Sequence, residues 1–463
     1  MIKSILNKLS QLLRRFFDNE LIRRLVKNSG YLFGSTVITA AISMLQGILA
    51  ARLLGVAVFG ILGVITLFTT VLNRLVSFRM SELVVKYVGQ YTEHDEPVSA
   101  AALFKIAALA ELGASLVAFI LIWLLAPLGA RYFAKDPNTV ILFRLYGLVV
   151  LFNMITESST GLLQIYDRFR RFSAINIVAS VVTLSIIVVV YFTQGGILGI
   201  LIAYLVGKAV GALSLSLSAL REASHQWGRG WWRTPMAPLQ KQGRELIRFA
   251  INTNISGSLS LITKDSELLW VSLLRSPVEA GYYKVALALA NLVQLPISPL
   301  PQVTYPELSR EVARRNWGSV RYVLRQGSIL AGSYTLAVTI GLLLFGRPLL
   351  AFLYTPKYLP AYPALLILLA GYLVVNTFYW NRVALLAIGL PEFPTKVNLV
   401  LALLKIVGII LLVPVYGYLA SAALLAGSYI IGVSVSVLKF RSELARRERA
   451  QPPTLARANS NER

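Results

Sequence analysis

Seven cations and four acids interrupt otherwise apolar stretches of this chain: Lys105, Arg144, Lys208, Lys264, Lys284, Arg382 and Lys405 against Glu111, Glu157, Asp265 and Glu267. At bilayer depth a charged side chain costs from about 2.5 kcal/mol upward, so each of these requires a partner, water or a cargo. Lys105, Arg144, Lys284 and Arg382 stand near the ends of their stretches, where a long side chain reaches the interface. The others stand deeper. Lys264 and Glu267, three positions apart, share a helix face and can neutralise each other, whereas Asp265 is turned about 100° away from Lys264 and needs its own partner or water.

The excess of cations suits an anionic cargo, because lysine and arginine donors match phosphate oxygens. Lys264, Lys208, Lys405, Arg382, Arg144 and Lys284 therefore form the candidate binding set. Carboxylates act as relays in pumps and carriers, which makes Asp265, Glu111, Glu157 and Glu267 the candidates for coupling to H+ or Na+. The chain offers little for catalysis, metal binding or a cofactor. It has no cysteine, its two histidines, His94 and His225, fall in polar connections, and no phosphate-cradling glycine loop is present.

The elements that must position these residues are transmembrane helices. A bilayer core of about 30 Å needs roughly 20 apolar residues per crossing, and about twelve stretches qualify, among them 31–51 and 398–413. Without water to satisfy open backbone the fold must be all-α. A hydrophobic fraction of 56%, only 14% charged residues and a mean hydropathy of +0.67 exclude a soluble globular protein.

The second half of the chain echoes the first. Asn176-Ile177-Val178 opens a span that ends at Gly195, and Asn398-Leu399-Val400 opens one that ends at Gly417, both at an offset of 222 residues. Leu148-Val149-Val150 with Asn153 and Leu162-Leu163 is matched by Leu373-Val374-Val375 with Asn376 and Leu385-Leu386. These echoes predict two six-helix halves, related as parallel repeats.

The net charge of +24 follows from the loops. Of 45 basic residues, 32 lie in alternate connections and the terminal segments, and only Arg52, Arg131, Lys135, Arg275, Arg347 and Lys357 lie in the others. By the positive-inside rule this puts both termini in the cytoplasm and accounts for the basic charge without nucleic acid. The segments then read as an amphipathic inner-leaflet helix (1–27), an N-terminal bundle (28–220), a cytoplasmic loop (221–245), a C-terminal bundle (246–440) and a disordered tail (441–463). Trp227, Trp231 and Trp232 in the loop are expected at headgroup level.

Ala51-Arg52-Leu53-Leu54-Gly55 with Phe59-Gly60 resembles the signature that follows the first helix of polysaccharide and oligosaccharide flippases of the MOP exporter superfamily. Asp265, Ser276-Pro277, Gly281-Tyr282-Tyr283, Ala286 and Tyr305-Pro306-Glu307-Leu308-Ser309 are similar to that family's later motifs, in the same order. Val56-Ala57 and the crowded Lys264-Asp265-Ser266-Glu267 depart from the pattern. The resemblance implies two six-helix bundles around a central cavity, alternating access and export of an undecaprenyl-pyrophosphate-linked sugar unit from the inner to the outer leaflet of a bacterial inner membrane. Polysaccharide assembly proteins and membrane lipids are its implied partners.

Within the superfamily the alternatives are a lipid II flippase and a cation-coupled multidrug exporter, which would favour an acidic cavity. A membrane sugar polymerase or ligase shares the span count, but the short outer connections near 126–138 and 345–360 carry no histidine and no paired carboxylates.

Overall fold

A computed structural model describes residues 20–77, 80–236, 239, 243–249 and 266–449, with the side chains of 20–32 left out. The amphipathic segment 1–27, for the most part, and the tail from 450 lie outside the described residues, as do Lys264 and Asp265.

The described chain is all helix and turn, without a strand. In order come α1 (Glu20–Val76), α2 (Met80–Leu83), α3 (Gly89–Glu93), α4 (Pro97–Leu128), α5 (Val140–Gly147), α6 (Val149–Phe152), α7 (Thr156–Ile165), α8 (Phe169–Phe192) and α9 (Gly196–Trp227). Then follow α10 (Glu267–Leu274), α11 (Pro277–Gln294), α12 (Leu300–Ala313), α13 (Trp317–Leu353), α14 (Ala361–Thr377), α15 (Asn381–Ala387), α16 (Glu392–Tyr416) and α17 (Tyr418–Arg449).

Among the described residues nine helices are long and apolar enough to cross a membrane. The first, Phe33–Val76, has 44 residues, or about 66 Å of helix, twice the bilayer core. It turns at Gly55, whose φ of 71° and ψ of 175° suit a residue without Cβ, so it supplies two crossings. The seventh expected stretch falls mostly on 250–265, outside the described residues, and ends in α10. Rows of exposed apolar side chains, such as Leu403, Leu404, Val407, Leu411 and Val415 on α16, are what a lipid-facing helix presents. The protein is a multi-pass membrane protein.

Two compact units emerge. The first comprises Met1–Leu49, Thr69–Ala126 and Ile141–Ser258, the second Ala50–Phe68, Pro127–Val140 and Leu259–Arg463. In the first, Tyr87, Phe104, Leu162, Leu215 and Ala219 close a core between α2, α4, α7 and α9. Trp227 and Trp231, expected at headgroup level, pack on Phe104 at ring-centroid distances of 5.8 and 5.4 Å, whereas Trp232 stays 55% exposed. Burying two large rings against a third outweighs leaving them at the surface.

In the second unit α14 is packed by α11, α13 and α17, with Ala364, Leu365, Leu368, Leu369 and Tyr372 buried among them. Ala50–Phe68 belongs to this unit because its helix presses on α11: a Cβ on Gly60 would lie 1.8 Å from the Pro277 carbonyl oxygen, and one on Gly281 2.4 Å from that of Val56. Small residues permit such backbone contact between helices.

Candidate functional site

In the first unit the expanded stretch from Pro137 to Ile165 is broken at Asn153–Ile155 and restarts as α7. A helix start leaves backbone N–H groups without partners, and Ile155 at the cap position has no side-chain oxygen to offer. Glu111 of α4 supplies it. Its carboxylate accepts from Glu157 N (2.7 Å), Ser158 N (2.9 Å) and Ser158 Oγ (2.7 Å), and the side chain is 3% exposed. The helix dipole adds to these bonds by favouring an anion at this end. Glu157, in the first turn of α7, accepts from Ser81 Oγ of α2 at 2.8 Å. Thr156 Oγ1 and Ser159 Oγ are buried here and have no hydrogen-bond partner among the described residues. The structure thus joins two predicted acids at one helix start, with two unused hydroxyls beside them.

The cations of this unit are placed differently. Arg144 lies over the Trp123 ring at 4.7 Å, with its Nε buried and unbonded among the described residues. A ring face attracts a cation without neutralising it. Lys208 of α9 is exposed. Lys105 donates to the Thr234 carbonyl at 2.6 Å.

In the second unit Glu267, first residue of α10, pairs with Lys405 of α16, and the two side chains are 1% and 3% exposed. Lys405, expected to face an anion, faces Glu267 instead, because two buried charges stabilise each other where water cannot. The expected partner, Lys264, lies outside the described residues, and so does Asp265. A cavity of about 40 Å³ beside Lys405 is lined by Asn398, Ser428 and Tyr429 among others. Lys284 of α11 stands over the Phe59 ring at 4.0 Å, its stem against the space a Gly63 side chain would fill. Arg382 of α15 is exposed.

Arg52 and its neighbours, prominent as a motif, are latches within the second unit. Arg52 Nε donates to Leu353 O at 2.8 Å and its Nη2 to Phe352 O, which caps the last turn of α13 with a cation where the dipole favours one. Tyr358 Oη donates to Ala51 O at 2.9 Å, and burial pushes the Tyr358 hydroxyl's pKa up. In the Ser276-Pro277 motif, Ser276 Oγ caps α11 by accepting from Glu279 N at 3.2 Å. Glu279 then accepts from Arg275 Nε (2.9 Å) and Tyr418 N (3.0 Å), which ties α11 to the start of α17. Sequence spacing did not single out Ser81, Ser158 or Trp123, and Phe59 stood out only as part of the Phe59-Gly60 motif, not as the ring under Lys284.

Comparison with known proteins agrees with this architecture. Residues 25–312 match the family model described as polysaccharide biosynthesis protein. Inner membrane protein YghQ of Escherichia coli strain K12 is 23% identical over 352 residues, covering 76% of this chain and 98% of that protein. An inward-facing multidrug resistance MATE family transporter of the MOP superfamily superposes with a TM-score of 0.71 at 14% identity, over 89% of this chain and 96% of its own. The lipid II flippase MurJ, in an inward closed conformation, gives a TM-score of 0.71 at 17% identity, over 89% of this chain and 87% of its own. The chain belongs to the polysaccharide biosynthesis protein family.

Proposed function

We propose that this protein is a flippase that carries an undecaprenyl-pyrophosphate-linked oligosaccharide from the inner to the outer leaflet of a bacterial inner membrane by alternating access, for surface polysaccharide assembly, and that it is not an enzyme. Both termini lie in the cytoplasm in this reading, in keeping with the distribution of Lys and Arg.

One contrast carries it. Every described acid of the candidate set is committed within its own unit: Glu111 to a helix start, Glu157 to Ser81, Glu267 to Lys405. Of the described cations only Lys405 has an acid partner; Arg144, Lys208, Lys284 and Arg382 form no ion pair among the described residues. Cations without an acid partner favour an anionic headgroup, and pyrophosphate offers the oxygens they match. Family membership supports a sugar-bearing lipid as the rest of the cargo. Glu111 and Glu157, next to the unused hydroxyls of Thr156 and Ser159, supply the oxygen-rich surroundings that a coupling H+ or Na+ requires.

Binding of undecaprenyl pyrophosphate to the purified chain tests the anion requirement. The proposal expects saturable binding that weakens with salt, and undecaprenol, which lacks the phosphates, should not compete. Equal competition by undecaprenol would refute a role for the cations.

A further inference from the structure

The second unit holds a cavity of about 830 Å³ between α13, α14 and α17 whose composition is that of a phospholipid site. Buried aromatic rings back its apolar wall, to which Ile329 and Phe378 give the accessible surface. Trp380 meets Phe378 and Phe440 edge-on, at 5.9 and 5.6 Å between ring centroids, and donates from Nε1 to Ser328 Oγ at 2.7 Å, so its only polar group is spent. Its rim carries Arg321, Arg325 and Arg441. Arg321 is held across the opening by Glu448, while Arg325 and Arg441 are exposed and form no ion pair among the described residues.

The internal repeat shows how the equivalent place is filled in the first unit. Phe104 and Lys105 stand seven and eight positions into α4, as Leu324 and Arg325 do in α13. Beside Phe104 the chain that leaves α9 folds back: Trp227 and Trp231 stack on that ring, and the Thr234 carbonyl takes the Lys105 ammonium. Among the described residues no such segment covers Trp380 and Phe440 in the second unit, and Arg325 and Arg441 stay exposed at the rim.

We propose that this cleft binds one anionic glycerophospholipid of the surrounding bilayer, its phosphate held by Arg325 and Arg441 and its acyl chain laid on Ile329 and Phe378. An arginine fork donates to two phosphate oxygens at once. Arg441 closely follows the apolar run of α17, which sets it at headgroup depth, where basic pockets between helices take acidic lipids. The site is separate from the cations assigned to the cargo.

Native mass spectrometry of the full chain, released from nanodiscs of equal phosphatidylglycerol and phosphatidylcholine, reads the proposal. The native chain should retain phosphatidylglycerol in preference, and Arg325→Gln with Arg441→Gln should lower that retention about thirtyfold, each arginine near a charged surface contributing about fivefold. Excess inorganic phosphate and undecaprenyl pyrophosphate should leave the bound lipid in place, and removal of 450–463 should not alter its retention. Equal retention of the two lipids, an unchanged double variant, displacement by either phosphate compound, or a rise on removing the tail would each overturn it. Arg325→Lys with Arg441→Lys, which keeps the charge, guards against misfolding: it should hold phosphatidylglycerol better than the glutamine pair, and an equal loss would count against the proposal.

Discussion

Glu267 and Lys405 stand 138 positions apart in sequence and meet as an ion pair with 1% and 3% of their side chains exposed. The pair ties the start of α10 to the middle of α16, and each charge lowers the cost of burying the other. Glu267→Gln or Lys405→Met alone should therefore destabilise the protein by about 3–5 kcal/mol, while Glu267→Leu combined with Lys405→Met should recover most of that loss. Unfolding in detergent of the two single variants and the double variant measures this. A double variant as unstable as the sum of the singles would contradict it.

Glu111 and Ser158 form the second coupled pair. Glu111→Ala strands the N–H groups of Glu157 and Ser158 at a buried helix start, at an expected cost of about 1–3 kcal/mol for each unsatisfied donor. A double-mutant cycle with Ser158→Ala should give a coupling of about 0.5–3 kcal/mol, since the two side chains share a hydrogen bond. Additive losses would place the carboxylate elsewhere.

Arg52→Ala removes two hydrogen bonds to the last carbonyls of α13. Charge-assisted bonds of this kind contribute about 1.5–3 kcal/mol, so amide exchange in the turn after Leu353 should quicken. Arg52→Lys should restore only part of the protection, because an ammonium lacks the fork that reaches both oxygens.

Gly60→Ala and Gly281→Ala should abolish folded expression, because the added carbon falls 1.8 and 2.4 Å from opposing backbone oxygens that cannot yield. Gly34→Ala, with nothing within 4 Å of the added carbon, is the matched control and should express normally. Size-exclusion profiles of the three variants decide the matter.

The all-α membrane fold was legible because the bilayer writes itself into the sequence as long apolar runs, and the family was legible in the order of short motifs. Partners were harder. Spacing offered Glu267 a neighbour three residues away, Lys264, which lies outside the described residues, but gave no sign of Lys405, since spacing records contacts along one helix and not between helices. Glu111 illustrates the same limit. Its depth in an apolar stretch marked it as a coupling candidate, but its bond to the backbone of Glu157, 46 residues away, left no trace in the spacing. The Arg52 motif was recognisable while its work as a helix cap was not, because the carbonyls it binds carry no sequence signal.

Leaflet-resolved translocation of undecaprenyl-pyrophosphate-linked oligosaccharide in proteoliposomes, comparing the native chain with Lys208→Ala combined with Arg382→Ala, tests the central claim most directly. The account predicts translocation by the native chain and a loss of at least about tenfold in the variant, the equivalent of about 1.4 kcal/mol of cargo binding. A native chain that moves no lipid-linked sugar but exports a cationic dye would contradict it.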